Sequence, residues 1–498
     1  MERHPMTRLI IVSNRVSPPT GDGTANQGGL AVALSSALRE TNGIWFGWSG
    51  EEVEEFSGQI NFSRYDGVTT ATIDLEAQDV EEYYNGFANR TLWPLFHDRT
   101  DLAEFERTFA GGYARVNERF AETLLPLIAP DDYVWVHDYH LIPLGRDLRN
   151  RGVENRIGFF LHTPWPVMRL LLSLPSHRLL VESLFAYDLL GFQSRTWLDS
   201  FLHYIRDQFP DAQIDDEGTI IIGERVVRVI ACPIGIDAQE FRASANSPQA
   251  EEARQVMLKS LDGRRLIMGV DRLDYSKGLE QRFSGYERLL LDHPEFQEHV
   301  SLLQIAPPSR ADVVSYQDIR KQLDALSGHI NGEFATAYWV PLRYVNRGYD
   351  RTSLAGMFRA SRVGLVTPLR DGMNLVAKEY VAAQDPYDPG VLILSRFAGA
   401  AEQMTSALLV NPFSPEELSD ALAQALRMPL EERQSRWHYL MESVEKEDVH
   451  WWLRRFLDAL DDEGADVVAL GGGPVEGGVS EGHNDDDPPM DAKNFEHS

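Results

Sequence analysis

The chain has 498 residues, and 47 basic against 76 acidic side chains leave a formal net charge of −29. That balance argues against a general nucleic-acid or anionic-membrane binder, which shows a basic excess. The single cysteine, Cys232, excludes an internal disulfide and a multi-cysteine zinc site and fits a reducing, cytoplasmic setting. The start, MERHPMTRLIIVSNR, has only a short apolar run and no small-residue cleavage site, and no run of 18 apolar residues follows anywhere. Neither a signal peptide nor a membrane span is therefore expected.

In chain order, short apolar runs alternate with amphipathic segments. The first half predicts strands over Leu9–Ser13, Tyr133–His137, Arg156–His162, Asp188–Phe192 and Val226–Ala231. Helices are predicted over Leu30–Arg39, Val80–Phe96, Leu102–Leu127 and Arg195–Gln208. The second half predicts strands over Leu266–Val270, Ser301–Ile305, Val363–Thr367, Val391–Leu394 and Leu408–Val410. Its helices are expected over Leu279–Asp292, Asp312–Leu326, Leu375–Gln384 and Pro415–Arg427. One long last helix spans about Leu430–Leu460, with Trp437, Leu440, Val444, Trp451 and Phe456 on its buried side.

Near-continuous apolarity in the strands marks a parallel sheet buried on both faces. The fold class expected is α/β: two Rossmann-like, doubly wound parallel-sheet domains facing across a cleft. A polar stretch, SANSPQAEEARQ, separates them. The divisions expected are 1–240, 241–440, a C-terminal helix over 441–463 packing back on the fold, and an acidic tail over 464–498. From Gly464 onward there are eight acids and one lysine among glycine and proline runs, too little apolar surface to offset the entropy of ordering.

Such sheets bind ligands beyond the carboxyl ends of their strands. The first strand ends at Arg15, and Gly28 and Gly29 precede the next helix, where backbone N–H groups can approach a phosphate or sugar. YVWVH ends in Asp138, a hydroxyl acceptor or base. IGFFLH ends in His162, which either caps the core or faces the cleft. His137, Asp138 and His140 lack a supporting His or Cys cluster, so no metal is expected. LIMGVD runs into Arg272, and Lys277 follows five residues later; this is a diphosphate clamp or a solvated loop pair. SLLQIA leads to Arg310. VGLVTP leads to Asp371, then Gly372, Met373, Asn374 and Leu375 at a helix start suited to a phosphate, with Glu379 about one turn further in as a ribose acceptor or a surface acid. No GxxxxGK[ST] loop and no GxGxxG between strand and helix is present, which counts against triphosphate hydrolysis and hydride transfer. These groups fit transfer of a sugar from a nucleoside diphosphate to a phosphorylated acceptor.

From Leu9 to Asp448 the chain resembles the α,α-trehalose-phosphate synthase family of retaining GT-B glycosyltransferases. The strings that carry the resemblance include VSNR, GGLAVAL, WFGWSGE, EYYNGFANRTLWPLFH, VWVHDYHL, IGFFLHTPWP, YDLLGFQ, PIGID, DRLDYSKGL, QIAPPSR and LVTPLRDGMNLVAKEYVAAQ. The resemblance implies that glucose passes from UDP-glucose to glucose 6-phosphate, with no cofactor; a sister activity forms glucosylglycerol phosphate. It places Arg15, Tyr84, Asp138, Arg310 and Trp93 at the acceptor, with Trp45 and Trp48 nearby. It places Gly29, Arg272, Lys277, Leu375, Val376 and Glu379 at the nucleoside diphosphate and His162, Asp371 and Asn374 around the donor glucose, with Gly28, Tyr349, Gly372 and Met373 completing the nucleotide-sugar-binding set. Asp138, His162, Arg272, Lys277 and Asp371 are implied as the catalytic set, and a homo-oligomer (dimer or tetramer) is expected. The chain departs from the bacterial pattern at Thr163, at Trp165 and at Tyr349, which stands where a phenylalanine holds the base.

Overall fold

The computed structural model describes residues 7–16, 41–65, 67–310 and 313–462, with Leu34, Leu38 and Arg39. The Gly28–Gly29 pair, most of the expected helix Leu30–Arg39 and the acidic tail lie outside the described residues.

The first sheet has ten strands: β1 (Leu9–Arg15), β2 (Ile44–Val53), β3 (Asn61–Tyr65), β4 (Val68–Glu76), β5 (Tyr133–His137), β6 (Ile157–Leu161), β7 (Leu189–Phe192), β8 (Gln213–Ile214), β9 (Ile220–Ile222) and β10 (Arg225–Ala231). Their order is β3-β4-β2-β1-β5-β6-β7-β10-β9-β8. From β4 to β10 the pairing is parallel, and the outer strands β3, β9 and β8 are antiparallel. The five predicted strands are the adjacent row β1-β5-β6-β7-β10. The strands not predicted flank it: β2 and β4 mix Trp, Gly and Thr into their apolar runs, and β3 is exposed along its whole length.

The second sheet has six parallel strands: β11 (Arg265–Val270), β12 (Val300–Ile305), β13 (Leu342–Val345), β14 (Val363–Val366), β15 (Val391–Ser395) and β16 (Leu408–Val410), in the order β13-β12-β11-β14-β15-β16. Both sheets therefore have a reversal of strand order, between β1 and β5 and between β11 and β14. In an open α/β sheet that reversal opens a crevice at the carboxyl ends.

The polar stretch between the sheets is helical, not a linker, over Ala238–Ala245 and Pro248–Leu261. Its signals are caps. The Asp237 carboxylate accepts from the Glu240 N–H at 2.8 Å, and Ser247 Oγ from the Ala250 N–H at 3.2 Å, with Pro248 in the first turn. Only Ala250 and Leu261 are buried in the second helix, so no apolar period betrays it.

The expected single helix over Leu430–Leu460 is two helices, Leu430–Lys446 and Val449–Asp461. At the break, Gly235 lies so close to Glu447 O that a Cβ would sit 2.3 Å from it, and the Val449 N–H donates to Ile236 O at 3.2 Å. The break shifts the buried face. Trp452 is fully buried, whereas Trp451 and Trp437 are only half-buried; Leu440, Val444 and Phe456 are inside as expected. This last helix packs on the first sheet, with Phe456 stacked on Trp135 at 4.3 Å.

Candidate functional site

Beyond β11 the chain turns on Asp274, whose carboxylate accepts from the Ser276 N–H at 2.9 Å and from Ser276 Oγ at 2.8 Å. The turn presents Lys277 and closes at Gly278, where φ is 65° and a Cβ would meet Thr367 O at 2.2 Å. Lys277 Nζ pairs with Asp371 Oδ2 at 2.7 Å, and Asn374 Nδ2 donates to the same oxygen at 3.0 Å. Burial raises the Asp371 pKa, but Lys277, His97 and Asn374 together outweigh it and the net shift is downward. Asn374, at φ 90°, caps the helix Leu375–Ala383 by accepting from the Ala377 N–H at 3.2 Å. Leu375 and Val376 thus open a helix whose first N–H groups have no intrahelical partner.

Gly372 brings this segment against the first sheet. A Cβ there would lie 1.9 Å from His162 O, and Trp197 Nε1 donates to Gly372 O at 3.0 Å. Gly372→Ala should therefore push the end of β6 from the helix start. We expect a stability loss of about 1–3 kcal/mol and a large loss of turnover, read by thermal unfolding and kinetics; a variant with wild-type turnover would deny that this contact sets the site.

In the first sheet, β1 ends at Arg15, whose guanidinium lies 5.5 Å from the Trp48 ring. Trp48 contacts Tyr84 edge-on at 5.6 Å, and Tyr84 stacks on His140 at 6.0 Å. Trp45 is turned to β1, where its Nε1 donates to Ser13 Oγ at 2.8 Å. The two tryptophans left undistinguished by sequence thus separate, with Trp48 beside Arg15 and Tyr84. Asp138 follows β5 at φ 75°, and burial pushes its carboxyl up to about 6 against the N–H groups of Tyr139, His162 and Thr163 and the charge of Arg310.

The two lobes meet at Trp93. Arg310, from the loop after β12, lies 4.0 Å from the Trp93 ring, donates to Tyr139 Oη at 3.2 Å and to Tyr316 Oη, and pairs with Asp274 at 3.4 Å. Burial lowers its pKa, but Tyr139, Tyr316 and Asp274 together move it upward. Arg272 lies on the same ring at 5.7 Å. It is solvent-exposed and has no ion-pair partner among the described residues. Asp274 is held at about 2: burial raises it, and Arg310, Arg272, Lys277 and His97 more than reverse that.

The His162 ring is fully occupied by protein, with Nδ1 3.2 Å from Gln193 Nε2 and Nε2 3.0 Å from His137 Nδ1. Burial lowers its pKa to about 3, so it is neutral. Glu379 sits 3.8 Å from Arg351 Nε; burial raises its carboxyl to about 7, Arg351 opposing and Glu240 adding. Tyr349 Oη accepts from Arg347 at 3.2 and 3.0 Å. Among the described residues, no hydrogen bond or ion pair ties Glu379 or Tyr349 to the Lys277–Asp371 cluster. Of the departures from the bacterial pattern, Trp165 is core, edge-on to Phe201 at 5.0 Å, and Thr163 is buried with its hydroxyl unpaired.

Several members of the site were not singled out from sequence. They are His97, 4.0 Å from the Trp93 ring and lowered to about 4 by burial, together with Asp274, Tyr139, Tyr316 and Trp197. Only Asp274 had a local signal, the turn-capping Asp-Tyr-Ser. Among the described residues, no group of three or more His, Cys, Asp or Glu side chains could hold a metal, and no helix is long and apolar enough to cross a membrane.

Comparison with known proteins agrees with this geometry. The chain is 48% identical over 457 residues, 91% of this chain and 98% of the relative, to a trehalose-6-phosphate synthase of Sinorhizobium fredii. A Burkholderia xenovorans UDP-forming α,α-trehalose-phosphate synthase in complex with glucose-6-phosphate superposes with a TM-score of 0.87 at 50% identity, covering 91% of this chain and all of that one. An E. coli trehalose-6-phosphate structure bound with UDP-2-fluoro glucose gives 0.87 at 46% identity, covering 91% and 99%. The family model spans residues 7–462, which takes in every described position, and with the two sheets and their shared wall it establishes that the chain belongs to glycosyltransferase family 20.

Proposed function

We propose that this chain transfers glucose from UDP-glucose to the anomeric hydroxyl of glucose 6-phosphate with retention, giving α,α-trehalose 6-phosphate and UDP in trehalose biosynthesis. The observation that carries the reading is the shared wall at Trp93. Arg272 and Arg310 of the second lobe both lie on this first-lobe ring, and Lys277, the partner of Asp371, lies on the same short turn as Asp274, the partner of Arg310. An anionic donor and an anionic acceptor can thus be held side by side. We assign the acceptor domain to 1–240 and the donor domain to 241–440; the two sheets span 9–231 and 265–410.

In this reading the β-phosphate lies between Arg272, Lys277 and the helix start at Gly372–Leu375, where charge develops as the glycosidic bond breaks. Arg15, Tyr84, Asp138 and Arg310 hold the acceptor against Trp93. Its hydroxyl attacks on the face the diphosphate leaves, and its proton passes to the departing β-phosphate oxygen. The protein contributes position and fixed charge. Asp138 serves as a hydroxyl acceptor, and Asp371 and Asn374 orient the donor glucose. His162 meets it through its backbone, because both ring nitrogens are engaged. The test is incubation of pure protein with UDP-, GDP- and ADP-glucose plus glucose 6-phosphate or glycerol 3-phosphate, with product identification by mass and NMR. No disaccharide phosphate from any donor would overturn the reading.

Glu379 as ribose acceptor needs a carboxylate, and burial puts its pKa at about 7. UDP affinity should therefore weaken as pH falls through 7, by up to about tenfold per unit below it. Without ligand the sign reverses: a carboxyl raised on folding stabilises the fold at acid pH and loses that contribution as pH rises through 7. Calorimetry across pH 6–8 on wild type and Glu379→Gln checks this, and an equally steep dependence in the variant would remove Glu379 from the ribose.

A further inference from the structure

The chain passes from the first sheet to the second through Pro233–Asp237, and the backbone of one residue there is bonded from both lobes. The Ile234 N–H donates to Gln193 Oε1 at 2.9 Å, and Lys378 Nζ donates to Ile234 O at 2.8 Å. Gln193 directly follows β7; Lys378 lies in the helix Leu375–Ala383. All three residues are almost completely buried.

A backbone N–H can only donate, so the Gln193 atom facing Ile234 is its oxygen and the atom facing His162 Nδ1 is its NH2. His162 Nδ1 therefore accepts, and the ring proton sits on Nε2, which donates to His137 Nδ1. On the other side, the Lys378 amine has no carboxylate within ion-pair distance among the described residues, and burial lowers its pKa to about 7, Glu447 opposing. Burying such a polar group is costly, and an apolar side chain of equal length would fill the same space. What it adds is a directed bond from the donor helix to the carbonyl of the crossing residue.

We propose that Gln193 and Lys378 are positioning residues that grip the Ile234 backbone, at its N–H and its C=O, from opposite lobes, so that the helix start at Leu375–Val376 and the His162 segment keep one fixed spacing during transfer. This rests on the reading of those two segments as donor-facing. Misplacement of reacting groups by about 1 Å costs as much as 100-fold in rate, so the effect falls on kcat.

The test is steady-state kinetics on wild type, Gln193→Met, Lys378→Met and the double variant. Each single change should lower kcat by at least about tenfold with the KM for glucose 6-phosphate held within about twofold. The double variant should fall no further than about twofold below the worse single, because both act through one backbone residue. A kcat within twofold of wild type in either single, an effect on KM alone, or losses that multiply in the double overturns the proposal.

Gln193→Glu guards against variants that fail to fold. It keeps the size and the Ile234 bond, but its second carboxylate oxygen demands a proton on His162 Nδ1. Spectra of 15N-labelled histidine, assigned by difference against His162→Gln, should show Nε2–H alone in wild type and an Nδ1 proton in this variant. Unchanged spectra overturn the proposal whether or not the protein turns over. Wild-type protein that forms no disaccharide phosphate would instead defeat the functional reading, leaving the histidine spectra to decide the inference.

Discussion

Arg272→Ala lowers kcat by about 100–1000-fold and leaves thermal stability almost unchanged. The side chain is exposed, its recorded partner is the Trp93 ring 5.7 Å away, and no carboxylate is orphaned when it goes. Its charge is thus free to act on a bound diphosphate. Lys277→Ala should cut turnover by a similar factor but not so cleanly. Lys277 and Asp371 keep only 12% and 14% of their side-chain surface, so the variant leaves an acid inside with Asn374 alone as partner. Stability should then fall by up to about 3 kcal/mol, the low end for breaking a buried pair because both groups retain some solvent. Kinetics and denaturant unfolding on both variants separate the two effects. Near-normal kcat in both would remove the clamp from the mechanism.

Arg310→Ala has the second large effect, and it is double. The guanidinium spans the Trp93 ring, Tyr139, Tyr316 and Asp274, and charge-assisted bonds of this kind are each worth about 1.5–3 kcal/mol, so the KM for glucose 6-phosphate should rise about 10–100-fold. Asp274, with no exposed side-chain surface, also loses its ion pair, and unfolding should become easier by about 3–5 kcal/mol. The pH dependence carries the same signature. In the wild type the Asp274 pKa is depressed to about 2, so its contribution is present above the ordinary carboxylate range and lost as pH falls through 2. That acid-side loss should shrink in the variant. Arg310→Lys restores charge but not the planar fork, and should recover stability more than KM. An unchanged KM in Arg310→Ala would take this residue out of the acceptor site.

Legibility from sequence followed burial. β1, β5, β6 and β7 could be read because strands covered on both faces are near-continuous apolar runs, and β10, half-buried over most of its length, from its valines and isoleucine. β3, with every residue exposed, and the helix Pro248–Leu261, with only two buried, had no such pattern. The final helix misled because its period runs on across Glu447–Asp448, where the break comes from a backbone segment far earlier in the chain pressing in at Gly235.

The site divides in the same way. Arg15, Asp138, His162, Arg272, Lys277 and Asp371 were recognisable because they stand beside strand ends, and strand ends follow from local pattern. That Trp93 is the surface on which Arg272 and Arg310 meet, that His97 and Asp274 lie beside Lys277 and Asp371, and that both nitrogens of His162 are engaged depend on residues tens to hundreds of positions apart. Local sequence determined two parallel sheets and the chemistry waiting at their ends, because hydrogen-bonded strands and caps are formed by near neighbours. Only the tertiary structure decided which of those ends face one another, because side chains from distant segments acquire a shared, buried environment, with its shifted charges, when the lobes pack together.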